Sequence, residues 1–224
     1  MDPGAVYADT RRRLTALVRS LPPADVDRRV PAAPLWTVKD AVGHLVGIVD
    51  DTLAGRLEGV GTDEWTAAQV DARRDRSLDE LIAEWEERAP DMEAAMGGWK
   101  PYAAAAAIGD LVTHAHDVRA AVGRPGDRDT AGVAVATELY SDSLGRRLHK
   151  GGFPALRLDT GEWSRQAGTG AVGATVRGEP FELLRAMTGR RSRAQIAALG
   201  WTGDPAPYLD VFSTYPLPAE DLVE

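Results

Sequence analysis

The sequence predicts a mainly α protein, with a helical bundle over residues 1–150 and a small α+β domain over residues 151–224. The first half contains long amphipathic segments with recognisable helix start and stop residues. From about residue 151 the pattern changes to short alternating segments separated by Gly-rich turns, as in β-strands. With 44% hydrophobic and 27% charged residues, the composition is that of an ordinary globular protein.

The first two helices have clear boundaries. A helix is predicted over about residues 4–20 and ends at Pro22-Pro23. Its apolar stripe consists of Val6, Leu14, Leu17, Val18 and Leu21. Thr37 and Asp40 form an acidic variant of a capping box, which predicts a second helix that runs to about residue 58.

Three more helices are predicted in the first half from caps, glycine stops and a proline at a first helical position. They run from the Ser77–Glu80 capping box to Gly97-Gly98, from Pro101 to Gly123, and over residues 129–150.

The second domain alternates between strand and helix patterns. Strands are predicted at Ala155–Leu158 and Ala174–Arg177, followed by a helix from about Pro180 to Thr188. The capping box Ser192–Gln195 then predicts a short final helix. These elements predict a small α+β unit.

Charge and residue usage exclude several function classes. The chain has 26 Lys+Arg against 34 Asp+Glu, a formal charge of −8, which argues against nucleic acid as a partner. It has no cysteine, so disulfides, thiolate zinc sites and a cysteine nucleophile are excluded. The start of the sequence has no signal-peptide pattern, and no run of about 18 apolar residues occurs, so we expect no membrane association and a cytoplasmic location.

A candidate metal site is indicated by the histidines. Three of the four histidines, His44, His114 and His116, fall on helical segments that we expect to face the bundle interior. Residues four apart share a helix face, so Asp110 and His114 can present a carboxylate and an imidazole to a common point, and His44 can supply a third ligand from a neighbouring helix. Three protein ligands leave positions for water or substrate, as in catalytic metal sites. On spacing alone, an ordinary partly buried helical pair is the alternative.

Neighbouring residues are assigned by the same helical geometry. His116 lies two positions after His114 and points away from the ligand face, so we expect it to be structural. Asp117 lies three positions after His114 and is predicted to orient that histidine. Asp40 and Asp51 have the same relation to His44. The six tryptophans, Trp36 among them, are assigned structural roles.

Taken together, four segments resemble the mycothiol-dependent maleylpyruvate isomerase family. Trp36–Leu45 and Asp110–Asp117 resemble the metal-binding segments of its N-terminal domain, and Gly178–Arg191 and Leu199–Pro205 resemble its small C-terminal domain. The resemblance implies a DinB-like up-down four-helix bundle and an α+β domain related in shape to sterol-carrier proteins.

The same resemblance implies a divalent metal, commonly zinc, held by His44, Asp110 and His114. The characterised isomerase has Glu where this chain has Asp110, so the carboxylate here is one methylene shorter. The isomerase also binds its dicarboxylate substrate through arginines. The residues that would fill those roles are Arg73 or Arg74 and Arg190 or Arg191, and we take Arg74 and Arg191 as the predicted catalytic arginines beside His44.

The activity implied is S-transfer from mycothiol to an electrophilic small molecule, or cis–trans isomerisation of that molecule. The partners expected are therefore a thiol and a small-molecule electrophile, acted on by a monomer or homodimer. Two alternatives are open. One is a metal-dependent hydrolase or cyclase that uses water in place of thiol. The other is a non-catalytic protein that binds a small molecule in an apolar crevice.

Overall fold

The computed structural model describes residues 1–224 and divides into two compact units, Met1–Gly126 and Asp127–Glu224. The N-terminal unit consists of α1 (Pro3–Arg19), α2 (Pro23–Val26), β1 (Arg29–Val30), β2 (Ala33–Thr37), α3 (Val38–Ala54), α4 (Asp63–Asp71), α5 (Leu78–Ala95), a 3₁₀ turn (Met96–Gly98) and α6 (Pro101–Ala121). The C-terminal unit consists of α7 (Ala131–Lys150), β3 (Ala155–Asp159), β4 (Ser164–Ala167), β5 (Val172–Arg177), α8 (Pro180–Met187), α9 (Arg193–Ala197) and β6 (Gly200–Thr202).

The mainly α fold with a smaller α+β part is confirmed, and the helix starts follow the caps in the sequence. In the box that opens α3, the backbone N–H of Asp40 donates to the Thr37 hydroxyl, and the Asp40 carboxylate accepts from the Thr37 backbone. The box of Ser77 opens α5 in the same way. Gly55 and Gly123 adopt φ of 70° and 64° just beyond α3 and α6, a conformation that glycine tolerates.

The four long helices of the N-terminal unit, α1, α3, α5 and α6, form a bundle. Both α1 and α3 pack against α5 and α6, so consecutive helices α1 and α3 lie diagonally across the bundle, as do α5 and α6. The completely buried side chains between them include Tyr7, Leu14, Leu45, Leu81, Ile82, Trp85, Met92 and Ile108. This core fixes α3 against α6, and helix α4 packs on the outer side of α3.

A four-stranded sheet with the order β4-β3-β5-β6 organises the C-terminal unit. The central pair β3 and β5 is parallel, and both outer strands run antiparallel to their neighbours. The two central strands coincide with the predicted ones. The sequence did not predict β4 and β6, because three- or four-residue edge strands are too short to show a clear alternation.

The division into units falls before α7, whereas the sequence placed residues 129–150 in the helical bundle. Helix α7 packs against α8, β3 and β4. The helix had the same amphipathic pattern as the bundle helices, and that pattern does not indicate which partner covers its apolar face. None of the helices is both long and apolar enough to cross a membrane.

Candidate metal centre

Two packed helices of the bundle bring His44, Asp110 and His114 together. His44 lies in the middle of α3, and the other two residues lie one turn apart on α6, which packs against α3. Each residue offers one ligand atom, and the three atoms lie within 4.8 Å of one another. The spacing of four residues on α6 gives both of its side chains the same face, as the sequence predicts.

The histidine-to-carboxylate distances in this group are close to the spacing between ligands of a tetrahedral metal ion, and each histidine approaches a different oxygen of Asp110. His44 Nε2 lies 3.4 Å from Asp110 Oδ2, and His114 Nε2 lies 3.7 Å from Asp110 Oδ1. Atoms bound to zinc at about 2.0–2.1 Å with tetrahedral angles lie roughly 3.3–3.5 Å apart. Two imidazoles and a carboxylate are a donor set that zinc accepts, so the residues fit a divalent ion.

The other ring nitrogen of each histidine has a partner on its outer side. His44 Nδ1 is hydrogen-bonded at 2.7 Å to the Gln69 side-chain oxygen Oε1, whereas His114 Nδ1 lies 3.1 Å from Asp117 Oδ2 as a close charged neighbour without a hydrogen bond. The predicted pairing of Asp117 with His114 is therefore present. Metal-binding histidines usually have such partners, which fix the ring orientation. Both rings consequently turn Nε2 toward Asp110.

Trp36 forms an apolar wall of the site. It lies in β2, just before the capping box of α3, and its ring centroid is 5.0 Å from that of His44 and 5.3 Å from that of His114. The two imidazoles meet edge to face at 5.1 Å. The sequence predicts a structural role for this tryptophan, and the structure places it in contact with the site.

Exposure within the group is uneven. His44 is 3% exposed and Asp117 is completely buried, whereas the Asp110 side chain is 32% exposed. The two candidate histidine ligands are thus held by the core, and the Asp110 side chain is partly exposed although its Oδ2 atom is buried. A metal held here would have an open side for an external ligand, as catalytic sites do.

Three further residues, His116, Asp51 and Asp40, lie on the same two helices as the candidate ligands. His116 is buried on α6 and is not part of the ligand group. The Asp51 carboxylate reaches His44 through Gln69, whose side-chain N–H donates to it at 2.7 Å. Asp40 does not reach His44, because its carboxylate is held in the capping box with Thr37.

The predicted arginines differ in their surroundings. Arg74 is exposed and pairs with Asp71 in the turn after α4, whereas its neighbour Arg73 is buried against Glu84 at 2.6 Å. In the C-terminal unit, Arg191 is buried and donates to the Glu182 carboxylate at 2.8 Å and 3.0 Å. A role for Arg74 or Arg191 in substrate binding stays a prediction.

Tyr7 is a buried polar group of α1 that stays neutral. Burial raises the pKa of its hydroxyl above the ordinary value of 10.0, and the negative charge of Asp110 adds to the increase. The tyrosine is therefore neutral at any physiological pH and adds no charge to the metal centre.

A separate cavity of about 1070 Å³ lies within the C-terminal unit. Its walls are the start of α7, the β3–β4 connection with Trp163, and the start of α8 with Phe181. It does not include any of the three candidate metal ligands.

The sequence did not predict two contacts of the site. One is the hydrogen bond between Gln69 and His44, and the other is the packing of Trp36 against the two histidines. Gln69 lies on α4, a nine-residue helix whose apolar positions show almost no periodic stripe. Trp36 follows Pro31 and Pro34, in a segment that reads as a connection. The cap at Thr62 is the only local signal that could have indicated α4.

Comparison with known proteins identifies a family for the N-terminal part of the chain. Residues 7–124 match the family model of the mycothiol maleylpyruvate isomerase N-terminal domain, a match that ends close to the division between the two units. No curated protein matches the chain significantly.

Two crystal structures share the fold over most of the chain. One is a histidine-to-alanine mutant of the mycothiol-dependent maleylpyruvate isomerase, with a TM-score of 0.63, 12% identity, and coverage of 89% of this chain and 91% of that chain. The other is the mycothiol-dependent maleylpyruvate isomerase, with a TM-score of 0.55, 13% identity, and coverage of 84% and 88%. Because the family model spans more than half of its residues, this chain belongs to the mycothiol-dependent maleylpyruvate isomerase family.

Proposed function

We propose that this protein is a divalent-metal-dependent enzyme that uses mycothiol either for S-transfer to an electrophilic small molecule or for its cis–trans isomerisation. The observation that carries the proposal is the convergence of His44 Nε2, His114 Nε2 and the Asp110 carboxylate on one point. Family membership supports the thiol, and the donor set supports zinc as the metal.

The residues of this chain would hold the metal and shape the space around it. His44, Asp110 and His114 would bind it, and when bound it would supply Lewis acidity that lowers the pKa of a thiol near it. The Trp36 ring packs against both imidazoles, and the partly exposed side chain of Asp110 leaves room for the thiol. Tyr7 stays neutral and leaves the charge of the site unchanged.

The reacting sulfur has to come from the small thiol, because the chain has no cysteine. In isomerisation, the thiolate forms an S–C bond to an activated double bond, whose π electrons move onto the activating carbonyl. Rotation about the resulting single bond and loss of the thiolate then give the other isomer. In S-transfer, the S–C bond stays and the carbon next to the carbonyl takes up a proton.

We also propose Arg74 as a contact for a carboxylate of the electrophile. Its side chain is 65% exposed, and a guanidinium can bind a carboxylate through two parallel hydrogen bonds. Arg191 pairs with both Glu182 and Glu224, and it would serve in the same way only after exchanging these partners for a substrate carboxylate. The Arg74→Ala variant should therefore raise KM for carboxylate-bearing electrophiles more than for neutral ones.

Activity measurements on the zinc-loaded protein test the proposal. Mycothiol is offered with maleylpyruvate and with a panel of other electrophiles, and products are followed by mass spectrometry and NMR. We expect turnover that needs both zinc and thiol, is lost in His44→Ala, and is retained in His149→Ala, a histidine of the C-terminal unit.

Two results would overturn this function in favour of the alternatives. Metal-dependent turnover without any thiol would indicate a hydrolase or cyclase. Ligand binding that is unchanged after metal removal, without turnover, would indicate a binding protein.

A further inference from the structure

Helix α4 lies outside the four-helix bundle, and one of its side chains reaches the candidate metal centre. Gln69 is 3% exposed, and its amide lies between the His44 ring and the Asp51 carboxylate. We propose that Gln69 is a positioning residue, which holds His44 as the neutral tautomer with the proton on Nδ1 and the lone pair on Nε2. This inference rests on the proposed metal site.

The direction of the hydrogen bonds follows from the groups at the two ends. A carboxylate only accepts, so the nitrogen of the Gln69 amide must face Asp51, where it donates at 2.7 Å. The amide oxygen then faces His44 Nδ1, also at 2.7 Å. An amide oxygen only accepts, so Nδ1 must carry the proton. The Nε2 atom of a neutral ring is then unprotonated and faces Asp110.

A glycine on α3 makes this contact sterically feasible. Gly47 lies one turn beyond the ligand residue His44, and a Cβ atom there would lie 2.6 Å from Gln69 Cβ and 2.8 Å from its Cγ. Any larger residue would push α4 away from α3. Close approach of the two helices at Gly47 therefore allows the amide to reach the ring.

The two histidines are thus supported by partners of different charge. His114 faces the buried carboxylate of Asp117, whereas His44 faces a neutral amide. A carboxylate partner makes an imidazole a more basic ligand than an amide partner does. A neutral partner on one histidine keeps the number of negative charges around the metal low, which favours binding of an anionic thiolate.

The experiment combines tautomer and affinity measurements. Nitrogen NMR of the metal-free protein at a pH where His44 is neutral reports which ring nitrogen carries the proton, and competition titration reports zinc affinity. The variants are Gln69→Leu, the exchanged pair Gln69→Glu with Asp51→Asn, and Gly47→Ala. Gln166→Leu, at an exposed glutamine in β4, is the matched control.

Each variant has a defined expected result. Wild type and the Gln166→Leu control should carry the proton on Nδ1. Gln69→Leu should move it to Nε2, next to Asp110, and weaken zinc binding by about 10-fold to 100-fold. In the exchanged pair, the carboxylate introduced at position 69 accepts from His44 Nδ1, and the amide introduced at position 51 donates to that carboxylate. This variant should therefore restore the Nδ1 tautomer. Gly47→Ala should shift the tautomer toward Nε2.

A proton on Nε2 in the wild type, or an unchanged tautomer in Gln69→Leu, would overturn the inference. The tautomer is read without metal, so these outcomes are separate from a failure of the proposed function. A wild type that has the Nδ1 tautomer but binds no zinc would leave Gln69 as a positioning residue and overturn the metal site.

Discussion

The Nε2 atom of His44 and the Oδ2 atom of Asp110, on two different helices, lie 3.4 Å apart. Two such atoms without a metal between them attract strongly only when the imidazole is protonated. With a metal between them, both act as ligands at a spacing that suits a tetrahedral ion. The separation thus links the packing of α3 on α6 to the chemistry of the site.

The carboxylate at position 110 should tolerate lengthening but not loss of charge. The Asp110 side chain is 32% exposed, so the longer chain of Asp110→Glu can fold toward solvent and still reach the metal. We expect its zinc affinity to stay within about tenfold of wild type. Asp110→Asn should weaken zinc binding by more than the roughly 10-fold to 100-fold expected when a residue that supports a metal-bound histidine is removed. A competition titration with a chromogenic chelator measures both, and equal affinities of Asn and wild type would contradict Asp110 as a ligand.

Asp117 should support zinc binding through His114. Its carboxylate is completely buried and lies 3.1 Å from His114 Nδ1. Asp117→Asn should weaken zinc binding by about 10-fold to 100-fold, because the neutral amide lacks the negative charge beside Nδ1 that makes His114 a more basic ligand. Asp9→Asn, at an exposed aspartate of α1, is the control and should leave affinity unchanged. The same chelator titration decides, and identical affinities in the two variants would rule out the role of Asp117.

Metal binding should be visible in the fluorescence of Trp36. Its ring packs against both histidine ligands, so a paramagnetic ion such as Co²⁺ held by them would quench its emission. Trp36→Phe should lose most of the quenching that Co²⁺ produces in wild type. Trp163→Phe, in the C-terminal unit, should keep it. Quenching of the same size in Trp36→Phe would show that the metal binds elsewhere.

Tyr7 should make stability depend on alkaline pH. Its pKa is raised in the folded protein, so the unfolded chain releases the proton first, starting near the ordinary value of 10.0. Stability from this group is full below that value and is lost as the pH rises toward the folded pKa. Denaturant unfolding above pH 10 should therefore show a steeper loss in wild type than in Tyr7→Phe. Tyr102→Phe, at an exposed tyrosine, should behave as wild type, and equal slopes in all three proteins would contradict the burial effect.

The bundle helices and the pair of candidate ligands on α6 were predictable because their signals are local. Capping boxes at Thr37 and Ser77 act within four residues, and the pairing of Asp110 with His114 follows from helical geometry alone. The placement of His44 opposite them needed the family resemblance, since spacing does not specify which helices pack together.

The residues that the sequence did not reveal act through contacts between distant segments. Gln69 meets His44 only because Gly47 lets α4 approach α3, a relationship without any local pattern. Asp40 is the opposite case, because its carboxylate satisfies the local cap with Thr37 instead of reaching His44. Helix α7 belongs to the C-terminal unit of the structure, whereas the sequence placed residues 129–150 with the bundle, because amphipathicity does not specify a partner.

Elemental analysis of the untagged protein tests the metal centre most directly. Wild type is measured at matched concentration beside His44→Ala and His114→Ala, with His149→Ala as a control outside the site. We expect near-stoichiometric zinc in wild type and in the control, and its loss in both ligand variants. A wild-type protein that contains no metal and takes up none when zinc is added would contradict the account.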